Sequence, residues 1–384
     1  MKIVVILPTY NEKINIEKLI PLLIQEIFPR VKNHQMSILV VDDNSPDKTA
    51  DVVQDFMKKW KNIELLQGTK KGLGAAYVKG MQYAMEKMTA DAIMEFDADF
   101  QHDPQDIPRM IVAMDKGADY VIGSRYVPGG AIPAEWGIHR KIISRFGGLF
   151  AQLMLWRFDV HDMTSGFKLT KTSFLEKVDL DNLYSKYYAY KLHILHDVLF
   201  MGAKVTEVPI VFYERKEGSS KITRKDLLDS FWVVIRLRFQ ESKRFIKFLI
   251  VGGTGFLVQL LVIDLSIRLG TEQFVASMVG GEAAIISNFL LNNMWTFSDT
   301  KSIKSQGGFL FRLLKFNMAS LMSIGLQGLV TYIAVRQLGE SLNIFGHSIH
   351  TAKIVLFPTI IILVIPLNYL VYNKIIWKTQ KLKK

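Results

Sequence analysis

The chain has 384 residues, of which 49% are hydrophobic and 22% charged, and its formal net charge is +12. This length favours more than one domain. The absence of cysteine excludes disulfides and thiolate metal sites. A basic balance is compatible with nucleic acid, an anionic membrane surface or a phosphorylated substrate. Apolar stretches flanked by lysine favour the last two, so we expect no nucleic-acid partner.

Short apolar runs alternate with amphipathic segments in the first part of the chain. The predicted strands are residues 2–7, 37–41, 63–67, 92–96 and 119–122, and the predicted helices are residues 11–28, 49–60 and 72–88. This alternation predicts an α/β domain with a mostly parallel sheet and helices on both faces. Ligands of such sheets bind beyond the carboxyl ends of the strands.

Polar clusters follow four of the predicted strands, at residues 8–12, 42–43, 97–99 and 123–125. Asp97, Asp99 and Gln101 offer the oxygen ligands that Mg²⁺ and Mn²⁺ prefer. An Asp-x-Asp turn alone is common in solvated loops, and Tyr10 or Glu12 alone has an equally ordinary explanation. Their joint occurrence at one sheet edge predicts a crevice that binds a metal and a nucleotide.

Five ordered motifs carry a family resemblance. They are Pro-Thr-Tyr-Asn-Glu at 8–12, Val-Val-Asp-Asp-Asn-Ser-Pro-Asp at 40–47, Gly-Leu-Gly at 72–74, Asp-Ala-Asp-Phe-Gln-His at 97–102 and Gly-Ser-Arg-Tyr at 123–126. Together they resemble the family 2 glycosyltransferases with the GT-A fold, and most of all the dolichyl-phosphate mannose synthases. The resemblance covers about residues 1–225. It implies transfer of a single mannose from GDP-mannose to dolichyl or polyprenyl phosphate, with inversion.

The resemblance also implies roles for individual residues. The nucleotide-sugar pocket would be lined by Pro8, Tyr10, Glu12, Val41, Asp43, Asp97, Ala98, Asp99, Gln101, Arg125, Arg215 and Lys221. A divalent metal, Mg²⁺ or Mn²⁺, would bind Asp99 and Gln101. Catalytic roles would fall to Asp99, Arg125, Arg140, Arg215 and Lys221, and the lipid phosphate would bind Arg125, Arg140 and Ser220. The Ser-Gly-Phe motif at 165–167 is structural or close to the sugar.

The chemistry of the acceptor explains why basic residues and a metal would suffice. A phosphate monoester has a second pKa of about 6, so it is already an oxyanion at neutral pH. The site then needs positioning and charge neutralisation rather than a strong general base. Processive members of the family carry a Gln-x-x-Arg-Trp segment, which this sequence lacks. That difference favours transfer of one sugar.

The second part of the chain is predicted to be a membrane domain. Residues 226–243 mix apolar and basic side chains, which predicts an interfacial helix, with a core helix of the first domain as the alternative. Four apolar stretches, at about 246–267, 274–295, 313–335 and 352–373, each approach the roughly 20 residues that a bilayer requires. The predicted domains are therefore residues 1–225, 226–243 and 244–384.

The four stretches form an internal repeat. Arg-Phe-Ile-Lys-Phe at 244–248 recurs as Arg-Leu-Leu-Lys-Phe at 312–316, and Asn288 and Asn293 recur as Asn368 and Asn373. This pattern predicts an all-α domain of two repeated helical hairpins with the same orientation. The segment resembles the GtrA-like membrane family, whose members occur fused to mannose synthases.

Charge distribution predicts the orientation in the membrane. Lysine and arginine are concentrated in the 296–312 loop and in the C-terminal tail, whereas the other two loops carry little positive charge. The positive-inside rule then places the first domain and the C-terminus in the cytoplasm, and the short apolar run at the N-terminus is no secretion signal. Glu282, within the second stretch, is either functional or a helix contact. Pro358 and Pro366 are expected to kink the fourth.

Three alternative functions remain open from the sequence. The enzyme could transfer glucose or another sugar from a UDP-sugar to the same lipid class. It could be a non-catalytic carrier of lipid-linked sugars, or an anchor for a separate catalyst. The intact set of Asp97, Asp99 and Gln101 favours catalysis, because a carrier needs no metal. The sequence does not predict the oligomeric state.

Overall fold

The structure is a computed structural model that describes residues 1–215, 224–298, 308–344 and 347–377. Contacts within the chain divide it into two units, Met1–Gln240 and Glu241–Lys384. The predicted site residues Ser220 and Lys221 lie outside the described residues. Most of the basic 296–312 loop and the tail from residue 378 also lie outside them.

A seven-stranded, mostly parallel sheet organises the first unit. Its strands are β1 (Lys2–Thr9), β2 (Gln35–Asp42), β3 (Ile63–Gln67), β4 (Ala92–Glu95), β5 (Tyr120–Ser124), β6 (Lys168–Lys171) and β7 (Val205–Pro209). Their order across the sheet is β3-β2-β1-β4-β6-β5-β7. Only β6 runs antiparallel to its neighbours, β4 and β5. This is a GT-A-like sheet, and the sequence predicted its first five strands but not β6 and β7.

Helices cover both faces of this sheet. They are α1 (Lys13–Leu22), α2 (Thr49–Lys59), α3 (Leu73–Glu86), α4 (Ile107–Asp115), α5 (Ile138–Leu155), α6 (Thr172–Leu175) and α7 (Tyr190–Phe200). Side chains of a strand alternate between the faces. Ile3 and Val5 of β1 accordingly join a buried cluster with residues of α1, α2 and α4. Val4 and Ile6 join a second cluster with residues of α3, α5 and α7. The apolar run of β1 is therefore explained by burial on both sides.

The start of the long helix α8 (Arg224–Arg268) has two different apolar faces. Val233, Val234 and Leu237 are buried in the same cluster as α3 and α7. Leu228 and Trp232 are 62% and 59% exposed. The segment predicted to be interfacial thus has one face in the core of the first unit and another that is exposed and apolar.

Apolar helices make up most of the second unit. Three segments among the described residues are long and apolar enough to cross a bilayer, and a shorter apolar helix follows: Lys225–Arg268, Val275–Thr296 and Phe309–Leu338, then Ile360–Ile376. The α-helices here, besides the end of α8, are α9 (Gln273–Leu291), α10 (Phe309–Leu338), α11 (Thr351–Thr359) and α12 (Ile365–Val371). An antiparallel hairpin of β8 (Ser341–Ile344) and β9 (His347–His350) separates α10 from α11. A π-helical turn separates α11, which contains Pro358, from α12, which begins beside Pro366. Proline removes a helical hydrogen-bond donor, which accounts for this irregularity.

Glu282 contacts a neighbouring helix. Asn317 Nδ2 of α10 donates a hydrogen bond to Glu282 Oε1 of α9 at 3.2 Å. This hydrogen bond favours the interpretation of Glu282 as a helix contact, because polar groups in membranes pair across helices.

The aromatic contacts of the second unit follow the sequence repeat. The ring of Phe248 in α8 lies 5.5 Å from that of Tyr369 in α12. The repeat-equivalent residues are Phe316 in α10 and Phe289 in α9, and their rings lie 5.7 Å apart. The same ring contact therefore occurs in both repeats, each time between a phenylalanine of one helix and an aromatic residue of another.

Two asparagines show the same relation. Ser323 Oγ donates to Asn368 Oδ1 at 2.8 Å. At the equivalent positions, a Cβ atom on Gly255 would lie only 2.2 Å from Asn288 Oδ1. That oxygen is buried, and no hydrogen-bond partner for it is found in the described part of the chain. Glycine thus brings the helices close where serine makes a hydrogen bond in the other repeat.

We expect Gly255→Ala to lower the thermal unfolding temperature of the detergent-purified protein, because the added methyl group collides with the Asn288 amide. Gly255→Ser should be at least as damaging, because its Cβ atom meets the same amide and its hydroxyl adds volume. Ser323→Ala is the matched control, since it removes the corresponding bond. A loss for Gly255→Ala no larger than that for Ser323→Ala would contradict this prediction.

Candidate active site

The end of β2 contains an acidic pair whose members have different surroundings. Asp42 is fully buried and accepts hydrogen bonds from Thr9 Oγ1 at 2.8 Å and Ser45 Oγ at 2.6 Å. It therefore fixes the ends of β1 and β2 against each other. Asp43 is half-buried, and burial together with the adjacent Asp42 raises the pKa of its carboxyl group. Of this pair, Asp43 is the residue with surface available to a ligand.

The remaining residues predicted for the nucleotide lie at the same two strand ends. Pro8 is paired with Val41 in the register of β1 and β2, and Val41 is buried. Tyr10 and Glu12 follow β1, and Glu12 occupies the position before the first turn of α1. Lys70 Nζ lies 3.4 Å from the centroid of the Tyr10 ring, which places a cation on one ring face. The structure thus brings these residues together.

The end of β4 contains a buried acidic turn. Asp99 is 3% exposed and forms an ion pair with Arg215. Its Oδ1 accepts a hydrogen bond from the backbone N–H of Gln101, with an N···O distance of 3.1 Å. Burial, followed by the charge of Asp97, raises the pKa of Asp99. Phe100 adopts a left-handed conformation with φ of 59°. A bulky residue in this region is strained, and such strain is common at functional sites.

Two tyrosine hydroxyls donate hydrogen bonds to acids in and before this turn. Tyr77 Oη donates to Asp97 Oδ1 at 2.8 Å, and its ring stacks 5.5 Å from Tyr190. Tyr190 Oη donates in turn to Glu95, whose pKa is raised by burial. Ala98, between the two aspartates, is buried. The orientation of Asp97 is therefore set by its hydrogen bond from Tyr77, which is itself packed against Tyr190.

Arg125 lies in a buried bidentate ion pair. Its Nε and Nη2 donate to the two carboxylate oxygens of Asp162 at 2.7 and 2.8 Å. Burial opposes ionisation of Asp162, but the Arg125 charge outweighs it and keeps the pKa of Asp162 below its ordinary value. Two of the three guanidinium nitrogens are thus engaged within the protein, by a partner that the sequence did not predict.

Aromatic rings connect Arg125 with Arg140. The Arg140 guanidinium lies 4.0 Å from the centroid of the Trp136 ring, at the start of α5. Trp136 packs against Phe212 at 5.8 Å. Phe212 also contacts the Arg125 guanidinium at 5.4 Å and the His102 ring at 4.9 Å. The structure therefore places both predicted arginines around one aromatic cluster.

Two other buried residues near the site were missed by sequence reasoning. His102 directly follows the acidic motif, and burial lowers its pKa to about 3, so its ring is neutral at physiological pH. Lys191 lies in α7, all but the last residue of which is buried. A lysine is almost never fully buried unless it has a partner or a task, so its presence in such a helix was the available signal.

The acids at the end of β4 fit a hard divalent cation in their donor chemistry. Asp99 and Gln101, the predicted ligands, offer carboxylate and amide oxygens, and Asp97 adds a second carboxylate nearby. Arg215 already places a positive charge against Asp99, which shows that this buried position requires one. No cluster of three or more His, Cys, Asp or Glu in ligand geometry occurs among the described residues. A Mg²⁺ ion held by these few oxygens would keep positions for phosphate oxygens, because Mg²⁺ is usually bound by one or two carboxylates together with phosphates and water.

A mostly parallel sheet with an Asp-Ala-Asp turn at the end of a central strand is the arrangement of a nucleotide-sugar glycosyltransferase. Residues 4–179 match the profile described as glycosyl transferase family 2, and residues 247–377 match the GtrA/DPMS transmembrane domain. The chain belongs to this family of membrane-linked glycosyltransferases, the group that includes the dolichol-phosphate mannosyltransferases.

Two curated relatives and one solved structure illustrate the similarity. The chain is 35% identical to a dolichol-phosphate mannosyltransferase of Pyrococcus furiosus over 343 residues, 87% of this chain and 90% of the relative. It is 38% identical to an undecaprenyl-phosphate mannosyltransferase of Micrococcus luteus, over 58% of this chain and 88% of the relative. A mannosyltransferase from Pyrobaculum calidifontis, solved with GDP-mannose and Mn²⁺, is 16% identical with a TM-score of 0.39, covering 76% of this chain and 87% of that one.

We expect Arg215→Gln to destabilise the protein without metal by on the order of 2 kcal/mol, because Asp99 loses its buried cationic partner. Mn²⁺ should restore more stability to this variant than to the wild type, since it would replace the missing charge. Thermal unfolding with Mn²⁺ or EDTA measures both effects. An equal response of the two proteins to Mn²⁺ would argue against a cation site at Asp99.

We expect Asp162→Asn to cost about 3–5 kcal/mol near neutral pH, because Arg125 then stays buried without its counter-charge. The pKa of Asp162 is lower in the folded protein than its ordinary value of 3.8, so this stabilisation is complete above that value. It is lost as the pH falls through the lower, folded-state pKa. Unfolding temperatures of variant and wild type should therefore converge in acid.

The control is Asp55→Asn, which removes the exposed pair with Lys58 and should have little effect. A difference between wild type and Asp162→Asn that is independent of pH would show that the ion pair is not its source.

Proposed function

We propose that this protein transfers one mannose from GDP-mannose to dolichyl or polyprenyl phosphate, with inversion, and releases GDP. The observation that carries the proposal is a similarity that runs through both units to a relative named as a dolichol-phosphate mannosyltransferase, at 35% identity over 87% of this chain. The buried acidic turn and the basic residues near it support the same reaction.

The transfer is a single displacement at the anomeric carbon. An oxygen of the lipid phosphate forms the new bond as the bond to the GDP β-phosphate breaks, and the electron pair leaves with the diphosphate. The acceptor is ionised at neutral pH, so no residue has to remove a proton. The protein must hold two anionic groups close together, and this requirement explains an Arg-rich and Lys-rich site.

Individual residues have proposed roles in this reaction. Pro8, Tyr10, Glu12, Val41, Asp43, Asp97 and Ala98 hold the nucleotide. Arg125, Arg140 and Arg215, with Ser220 and Lys221 outside the described residues, position the donor and lipid phosphates. A Mg²⁺ or Mn²⁺ ion bound by Asp99 and Gln101 would offset the charge of the diphosphate leaving group.

The membrane unit supplies the lipid-facing part of the proposal. Its four apolar stretches would form two repeated hairpins, and the distribution of lysine and arginine supports a cytoplasmic first domain and C-terminus. The exposed Leu228 and Trp232 of α8 suit the headgroup region of a bilayer. We assign residues 1–225 to the glycosyltransferase domain, 226–243 to this interfacial region and 244–384 to the transmembrane domain.

The test is transfer by the purified protein in detergent with a short polyprenyl phosphate. GDP-mannose, UDP-glucose and UDP-N-acetylglucosamine are supplied separately, with Mn²⁺ or EDTA, and the butanol-extractable sugar is measured. We expect a metal-dependent product from GDP-mannose, reduced at least about 100-fold in Asp99→Ala and retained in the surface control Asp55→Ala.

The other outcomes separate the alternatives. Product from a UDP-sugar alone would replace the proposed donor. No product from any donor, with folding and lipid binding intact, would contradict catalysis and favour a carrier or an anchor.

A further inference from the structure

Three polar atoms face one point beside the acidic turn. A Cβ atom at Gly166 would lie 3.2 Å from Lys191 Nζ, 3.3 Å from Asp97 Oδ2 and 3.4 Å from His102 Nε2. These residues belong to α7, to the end of β4 and to the turn after it, so three separate elements converge here. Any side chain at position 166 would stand against these atoms and cover them. Glycine leaves the space between these atoms free of a side chain.

Lys191 is the unusual member of this group. It is 1% exposed, and its Nζ lies 3.9 Å from the centroid of the Tyr188 ring and 5.8 Å from that of Tyr190. Within the described residues its ammonium group donates no hydrogen bond. Burying an ammonium group without an acceptor is unfavourable, and ring faces offset only part of that cost. A ligand group that accepts hydrogen bonds from Lys191 Nζ would therefore be stabilised at this position.

The spacing of the ammonium and the carboxylate indicates what that group is. Lys191 Nζ and Asp97 Oδ2 lie about 6.5 Å apart at most, because both lie near one point. Yet no ion pair within 4.0 Å joins them in the part of the chain that the structure describes. One oxygen that accepts from Nζ and donates to Oδ2, with hydrogen bonds of about 2.8 Å, spans such a gap.

A hydroxyl group has both properties, whereas a phosphate oxygen has only one. A fully ionised phosphate cannot donate to Asp97 Oδ2 and would be repelled by it. His102 adds a ring nitrogen near the same point, which can donate to or accept from a second hydroxyl according to its tautomer. Adjacent hydroxyls on a ring are characteristic of a hexose, and a nucleotide diphosphate carries them only on its ribose.

We infer that Lys191, Asp97 and His102 bind hydroxyl groups of the donor hexose, and that Gly166 is required to leave them room. This inference rests on the proposed function and adds the sugar-binding side of the site. Lys191 is then a residue that determines sugar binding, and it lies 65 positions beyond Tyr126, the last residue of the Gly-Ser-Arg-Tyr motif.

The test compares binding of GDP and of GDP-mannose to the full-length protein with Mn²⁺, by titration calorimetry. Lys191→Met keeps the length of the side chain and removes the charge. We expect GDP-mannose to bind about 10- to 100-fold more weakly than to the wild type, while GDP binding changes less than about twofold. Gly166→Ala should show the same selective loss, because its methyl group covers the three polar atoms.

The matched control is Lys177→Met, which removes an exposed lysine beside the Phe174 ring and should change neither affinity. Equal losses for GDP and GDP-mannose in Lys191→Met would place the lysine on the nucleotide or the fold and overturn the inference. Unchanged binding of both would also overturn it. If Lys191→Met fails to fold, Gly166→Ala decides by the same comparison.

Failure of the proposed function is recognised separately. It would appear in the wild type as a lack of GDP-mannose binding and transfer. The same comparison is then made with UDP and the UDP-sugar that the wild type uses.

Discussion

The first unit depends on how buried negative charge is balanced at the end of β4. Glu95 and Asp99 are 2% and 3% exposed, and the half-buried Asp97 lies between them. Buried carboxylates are stable only with cations or hydrogen-bond donors beside them. Strand β4 supplies none of these, so they come from distant segments: the Tyr77 hydroxyl from α3, the Tyr190 hydroxyl from α7 and the Arg215 guanidinium from the chain after β7. Segments far apart in sequence are held together by this balance.

The same balance explains why the site suits a nucleotide-sugar. The acids are oriented before any substrate arrives, and their cationic partners are groups that also bind phosphate. Arg125 is held rigidly by Asp162, whereas Arg215 pairs with an acid that is also a predicted metal ligand. The protein thus presents positive charge in a fixed geometry, and in the proposed reaction a diphosphate leaving group and an ionised acceptor phosphate would meet beside it.

Local patterns predicted much of this arrangement, and tertiary contacts account for the rest. The apolar runs of β1 to β5 were recognisable because both faces are buried, and the motif at 97–102 identified the acidic turn. Strand β6 was missed because Lys168 and Lys171 interrupt its apolar pattern, although Lys168 is buried. Asp162 and Lys191 were missed because only the fold brings them to Arg125 and Gly166. In the second unit, the repeat motifs predicted which helices correspond, but not that Gly255 and Ser323 are the matching contact points.

In the proposed reaction, the sugar passes directly from the nucleotide to the lipid phosphate, with no covalent intermediate on the protein. The most direct test is the anomeric configuration of the lipid-linked mannose made by the wild-type protein from GDP-α-mannose, determined by NMR of the purified product. A β-linked mannosyl phosphate is expected, because one displacement inverts the anomeric carbon. An α-linked product would contradict the account, since retention requires a second displacement or a different mechanism.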